Sequence, residues 1–119
     1  MKDILVIEDE SGSMTVLGKK TITQSLINTI VMSRELYDCY AGLEYKNVKW
    51  DGKSKVNLAG KDAIILTDGY CDFSLLENMG TKTAVVLCGL DSSNPKKLSN
   101  VKVFAAQDIL EALDYVNNQ

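Results

Sequence analysis

Three short apolar runs, rich in β-branched residues, constrain this chain more than any other feature: Ile4-Leu5-Val6-Ile7, Ala63-Ile64-Ile65-Leu66 and the stretch from Thr83 to Cys88, with Val101 to Phe104 expected as a last strand. A strand exposed on one face alternates apolar and polar residues. An unbroken apolar run of this length reads instead as a strand covered on both faces. The segments between the runs carry helical periodicity. From about Thr21 to Tyr40 apolar residues recur at Ile22, Leu26, Ile30, Leu36 or Tyr37, and Tyr40, widened by Ile27 and Val31, and Gly42 supplies a stop. Near the end Ile109, Leu110, Leu113 and Val116 mark a second amphipathic helix, with Asp108 and Glu111 near its positive end. Asp72 to Met79 is expected to form two helical turns with Phe73, Leu76 and Met79 inward. Asp51-Gly52, flanked by Val48-Lys49-Trp50 and Ser54-Lys55-Val56, is expected to reverse the chain as a hairpin.

Buried strands alternating with helices predict an α/β fold of three-layer, Rossmann-like form. Its central sheet is expected to be mostly parallel, with one antiparallel edge strand from the Asp51-Gly52 hairpin and helices on both faces. At 119 residues the chain is expected to be one domain spanning 1–119.

Composition narrows the function. Thirteen basic residues stand against sixteen acidic ones, for a formal net charge of −3. The basic residues are scattered singly or in pairs such as Lys19-Lys20 and Lys96-Lys97, so no nucleic-acid face is expected. Lys19-Lys20 reads as solvated surface. No stretch reaches membrane-spanning length, and the apolar run near the start is too short for a signal peptide, which leads to a cytoplasmic expectation. Cys39, Cys71 and Cys88 match no metal spacing and leave one unpaired in any disulfide scheme, which suits a reducing compartment. Cys88 reads as core, and Trp50 and Phe73 as core or rim. There is no histidine. Serine or cysteine nucleophiles therefore lack their usual base, so no enzyme activity is expected. A metal would need oxygen ligands, which favours Mg²⁺, Mn²⁺ or Ca²⁺.

Ligands open to crevices beyond the carboxyl ends of parallel strands. Two loops there carry the chemistry. Asp9-Glu10-Ser11-Gly12-Ser13 follows the first strand, and Thr67-Asp68-Gly69 follows the second buried run. A turning loop of the form Asp-x-Ser-x-Ser can aim one carboxylate and two hydroxyls at a common point. If the strands 4–7 and 63–67 are neighbours, Asp9 and Asp68 are expected to face one pocket. The same residues suit humbler work: Asp9 and Ser11 as helix caps or turn formers, Thr67 as a buried strand end.

The segments Ile4 to Met14 (ILVIEDESGSM) and Ile64 to Gly69 (IILTDG) resemble the von Willebrand factor A-type domain with its metal-ion-dependent adhesion site. That resemblance implies a metal site of Asp9, Ser11, Ser13 and Asp68, holding Mg²⁺ (or Mn²⁺/Ca²⁺). It also implies a partner-binding rim of Met14, Gly69, Tyr70 and Asp72. The implied function is a metal-dependent adaptor that binds a protein partner through that partner's acidic residue, in settings such as ATPase-containing complexes. The form is abbreviated: Asn57 to Asp62 leaves no room for the family's further helix and supplies no Thr ligand. The missing helix would bare part of one sheet face to a homodimer or partner contact. The alternative is a receiver-like phosphoacceptor domain of two-component signalling. There Glu8 and Asp9 would hold Mg²⁺ and Asp68 would accept phosphoryl. Against it stand the late position of Asp68, the Asp51-Gly52 hairpin, and Ala105-Ala106 where receivers carry Lys-Pro.

Overall fold

The computed structural model describes residues 2–95 and 100–118; Lys96 and Lys97 fall outside them. The chain runs β1 (Lys2–Asp9), α1 (Leu17–Leu36), β2 (Leu43–Trp50), β3 (Val56–Asn57), β4 (Asp62–Thr67), β5 (Leu76–Glu77), β6 (Thr83–Leu87), β7 (Val101–Ala105) and α2 (Ile109–Asn117). The long strands form one five-stranded sheet in the order β2-β1-β4-β6-β7, parallel throughout. Counting only those five, the order is 2-1-3-4-5, the flavodoxin-like doubly wound order, whose switch point lies between the first and third strands. Here those are β1 and β4, the strands that carry Asp9 and lead to Asp68.

Side-chain alternation divides the core in two. Ile4, Val6, Ile64, Leu66, Ala84 and Val86 face one side, against Leu26 and Ile30 of α1 and Ala112, Leu113 and Val116 of α2. Leu5, Ile7, Ala63, Ile65 and Val85 face the other, against Trp50, Leu58 and Leu76. Both helices therefore lie on one face, and the expectation of helices on both faces is corrected. The second face is covered by extended chain, and β3 and β5 pair there as a two-stranded parallel ribbon.

The antiparallel edge strand is likewise absent from the sheet. Residues 43–50 form a long parallel partner of β1. At Asp51 the side chain accepts hydrogen bonds from the amides of Lys53 and Ser54, at 2.8 Å each, making an Asx-type turn. Beyond that turn the chain does not run back along β2. Leu58 becomes fully buried on the helix-free face, where Val56 packs beside it. Burial there retains apolar contacts that a hairpin on an open sheet edge would leave in water. Leu58 and its neighbours cover part of the face that the missing helix was expected to bare to a partner.

The 72–79 segment contains only a 3-10 turn at Phe73–Leu75 before β5. Asp72 caps that turn by accepting from the Ser74 amide. Asn78 then takes a φ of +55°, which ends any helix. α1 starts earlier than its apolar stripe, at Leu17, so Lys19 and Lys20 stand in its first turn. Among the described residues no helix is long and apolar enough to cross a membrane.

Candidate strand-end site

β1 and β4 deliver Asp9 and Asp68 to the same edge of the sheet, but to different partners. Asp9 is buried. Its Oδ1 accepts from the Ser11 amide at 2.8 Å and its Oδ2 from the Thr67 hydroxyl at 2.6 Å. Positions 9 and 67 continue the alternation of Ile7 and Ile65, so this cluster lies on the helix-free side. The Cys71 thiol sits 3.5 Å from Thr67 Oγ1 there. Thr67 also accepts from the Gly69 amide at 3.1 Å, which ties the strand end to the loop that follows.

Asp68 turns the other way, toward α1. Its side chain is 0% exposed, and its Oδ2 accepts from the Lys19 ammonium at 2.9 Å. Its Oδ1 accepts from the Tyr70 amide at 3.2 Å, and the Ser13 hydroxyl stands beside it. Burial by itself pushes the Asp68 carboxyl up. The hydrogen bonds from Ser13, Lys19 and the Tyr70 amide outweigh that and hold it below the ordinary carboxylate range. The bond to Asp68 in turn raises the Lys19 ammonium, against the opposing pull of burial. Asp91, from the loop after β6, lies 3.8 Å from Lys19 and accepts from the Tyr70 hydroxyl at 3.0 Å.

The metal ligand set expected from sequence is only partly assembled. Ser13 stands exposed beside Asp68, whereas Ser11 meets Asp9 through its backbone amide and Asp9 is closed by Thr67. Among the described residues no three His, Cys, Asp or Glu side chains are grouped to hold a metal. The decisive fact is electrostatic. A buried ammonium already neutralises Asp68, and a divalent ion at that carboxylate would sit beside a fixed positive charge. The residues present therefore do not fit a divalent ion in this arrangement.

The partner-binding set divides as well. Tyr70 is 56% exposed and Asp72 is exposed, as a docking rim requires. Met14 is 3% exposed and packs in the helix-side core, so it offers no side chain to a partner. Gly69, at φ +86°, has the Ser93 carbonyl 1.7 Å from where a Cβ would stand, so its role is to let two loops touch. Thr67 is the buried strand end that the sequence suggested.

Lys19, expected at the solvated surface, is instead buried. A signal was available. Lys19 and Lys20 occupy the first turn of α1, which holds no acidic residue, so they oppose the helix dipole there. A lysine in that position needs a carboxylate from elsewhere in the fold.

The thiols do not read as nucleophiles. Burial pushes Cys71 up to about 11 and Cys88 likewise up to about 11, so both are thiols rather than thiolates at neutral pH. Comparison of the chain with protein-family models, with curated proteins and with solved structures gives no significant match.

Proposed function

We propose that this chain is a non-enzymatic protein-interaction module that docks a protein partner on the strand-end edge. One observation carries the reading. The loops after β1, β4 and β6 each turn large apolar side chains to solvent there: Val16 and Leu17, Tyr70, and a fully exposed Leu90. Exposed apolar groups rimmed by Asp91, Asp72 and Lys20 have the composition of an interface, and aromatic residues such as Tyr70 are favoured in one. The carboxylates beneath are buried and fully hydrogen-bonded, which supports a scaffolding role for them rather than acid–base work.

A photo-crosslinking residue placed at Leu17, Tyr70 or Leu90 is expected to capture the same discrete protein. Placed at Leu110 on α2, it is expected to capture none. Equal capture from Leu110, or no discrete adduct from the three edge positions, would sink the proposal. The metal-dependent version, in which a partner's acidic residue completes an Mg²⁺ shell, predicts that chelation abolishes the adduct.

The receiver-like reading has an observation of its own. The sheet order is 2-1-3-4-5, Asp68 follows the third long strand, and the expected antiparallel hairpin is absent. Lys19 also brings to Asp68 a lysine that Ala105-Ala106 does not. Acetyl phosphate with Mg²⁺, followed by intact mass, tests it. One phosphoryl group added to wild type and none to Asp68→Asn would favour a phosphoacceptor over a passive docking module.

A further inference from the structure

We infer that Lys19 is the resident cation of Asp68, so that this buried carboxylate is neutralised and fastened to α1 without a divalent ion. The inference stands whether or not the edge docks a protein.

Lys19 is 8% exposed, while its neighbour Lys20 is exposed. Its aliphatic stem lies along Gly89, where a built Cβ would come 3.0 Å from Lys19 Cγ and 3.2 Å from Cε. Gly89 has φ +128°, so both the backbone shape and the space for the stem favour glycine. At the end of that channel the ammonium meets Asp68 at 2.9 Å, Asp91 at 3.8 Å and the Tyr70 ring, whose centroid is 5.9 Å away. One positive charge thus faces two carboxylates and an aromatic ring from the loops after β4 and β6, and it is carried by α1.

Each partner needs that charge. A carboxylate with no exposed surface is costly unless paired. The start of α1 has no side-chain cap and no acid of its own. Asp68 supplies the missing negative charge to the helix start, and Lys19 supplies the missing positive charge to Asp68. A divalent ion at Asp68 would have to expel the ammonium from a channel shaped to its stem.

The test is a titration of the whole chain with Mg²⁺ and Mn²⁺ by calorimetry, joined to thermal melts with and without chelator. The variants are Lys19→Met, Asp68→Asn and the double change. Wild type is expected to show no saturable binding tighter than about 1 mM, and chelation is expected to leave its Tm unchanged. Lys19→Met is expected to lower Tm by about 10 °C, since it strands a buried carboxylate. The double variant is expected to recover roughly half of that loss or more, because no charge is then left unpaired. Saturable one-to-one metal binding by wild type that Asp68→Asn abolishes would overturn the inference. So would a double variant no more stable than Lys19→Met alone. Should Lys19→Met fail to fold, the double variant decides: a folded protein upholds the pairing, and an unfolded one refutes it.

Discussion

β4 has an aspartate at each end, and each meets a lysine at 2.9 Å, yet the two pairs do different work. At the start of the strand Asp62 pairs with Lys2 of β1, with side-chain exposures of 9% and 23%. The two strands are neighbours in register, Ile4 facing Asp62, so this pair follows directly from sheet pairing. The Lys82 amide and the Thr81 hydroxyl complete the carboxylate. At the far end Asp68 pairs with Lys19, with exposures of 0% and 10%, and the lysine comes from a helix laid over the sheet. The first pair lies along the ladder, with the Lys2 ammonium also donating to the Val116 carbonyl of α2. The second fastens α1 and two loops to one another. A buried pair that spans elements is costly to break from either side, whereas a wetter pair is worth little.

The largest difference should appear on deleting the acids. Asp68→Ala is expected to cost about 3–5 kcal/mol, as for breaking a buried pair. Asp62→Ala is expected to cost about 1–2 kcal/mol, chiefly from the unpaired Lys82 amide. Urea denaturation measures both, and equal losses would erase the distinction between the ends. Thr67→Val keeps the shape of the strand end but removes the hydroxyl that donates to Asp9 and accepts from Gly69. It is expected to cost about 1–3 kcal/mol. A neutral result would mean that the Asp9 cluster is wetter than its burial implies.

Acid sharpens the comparison further. For Asp62, as for Asp68, burial pushes the carboxyl up. Lys2, the Lys82 amide and Thr81 outweigh it, so both aspartates titrate below their ordinary 3.8. A lowered folded value adds stability above pH 3.8 that is lost as pH falls through the folded value, at up to about 1.4 kcal/mol per pH unit for each group. Lys19, raised above 10.5, adds stability that is fully present below pH 10.5 and is lost as pH rises from there through its folded value. Stability measured against pH should therefore fall at both extremes, and Lys19→Met should flatten the alkaline limb. An unchanged alkaline limb in that variant would count against the pairing. The smallest effect belongs to Lys2→Met, about 1 kcal/mol or less, and it should shrink further in 1 M salt. A salt-insensitive loss would show that this end is as dry as the other.

Much of the scaffold was legible from residues alone. Three apolar runs became β1, β4 and β6 because a strand inside a covered parallel sheet has no polar face to alternate, and the edge strand β7 keeps an exposed Lys102. Both helices were visible in their apolar periodicity. The Asp51-Gly52 hairpin and the 72–79 helix failed for one reason. Each was inferred from local turn and helix signals, while Leu58 and Leu76 were needed as cover for a sheet face that neither helix reaches. Long-range burial overrode local preference. The site was half legible. Asp9, Thr67 and Asp68 were found because acidic and small residues closing an apolar run mark a strand end. That Asp9 and Asp68 turn to opposite sides could not be read without knowing where the strands stop and which loops close over them.

The parallel α/β sheet and the two acids at its carboxyl edge follow from residue order alone, because hydrophobic periodicity and strand-end chemistry are encoded within a few residues. The cation that Asp68 meets depends instead on how distant segments pack. Lys19 and Asp68 are 49 positions apart. The acid-free first turn of α1 shows only that a lysine there lacks a local partner; which acid it meets depends on Gly89 opening the channel for its stem and β4 bringing the carboxylate to its end.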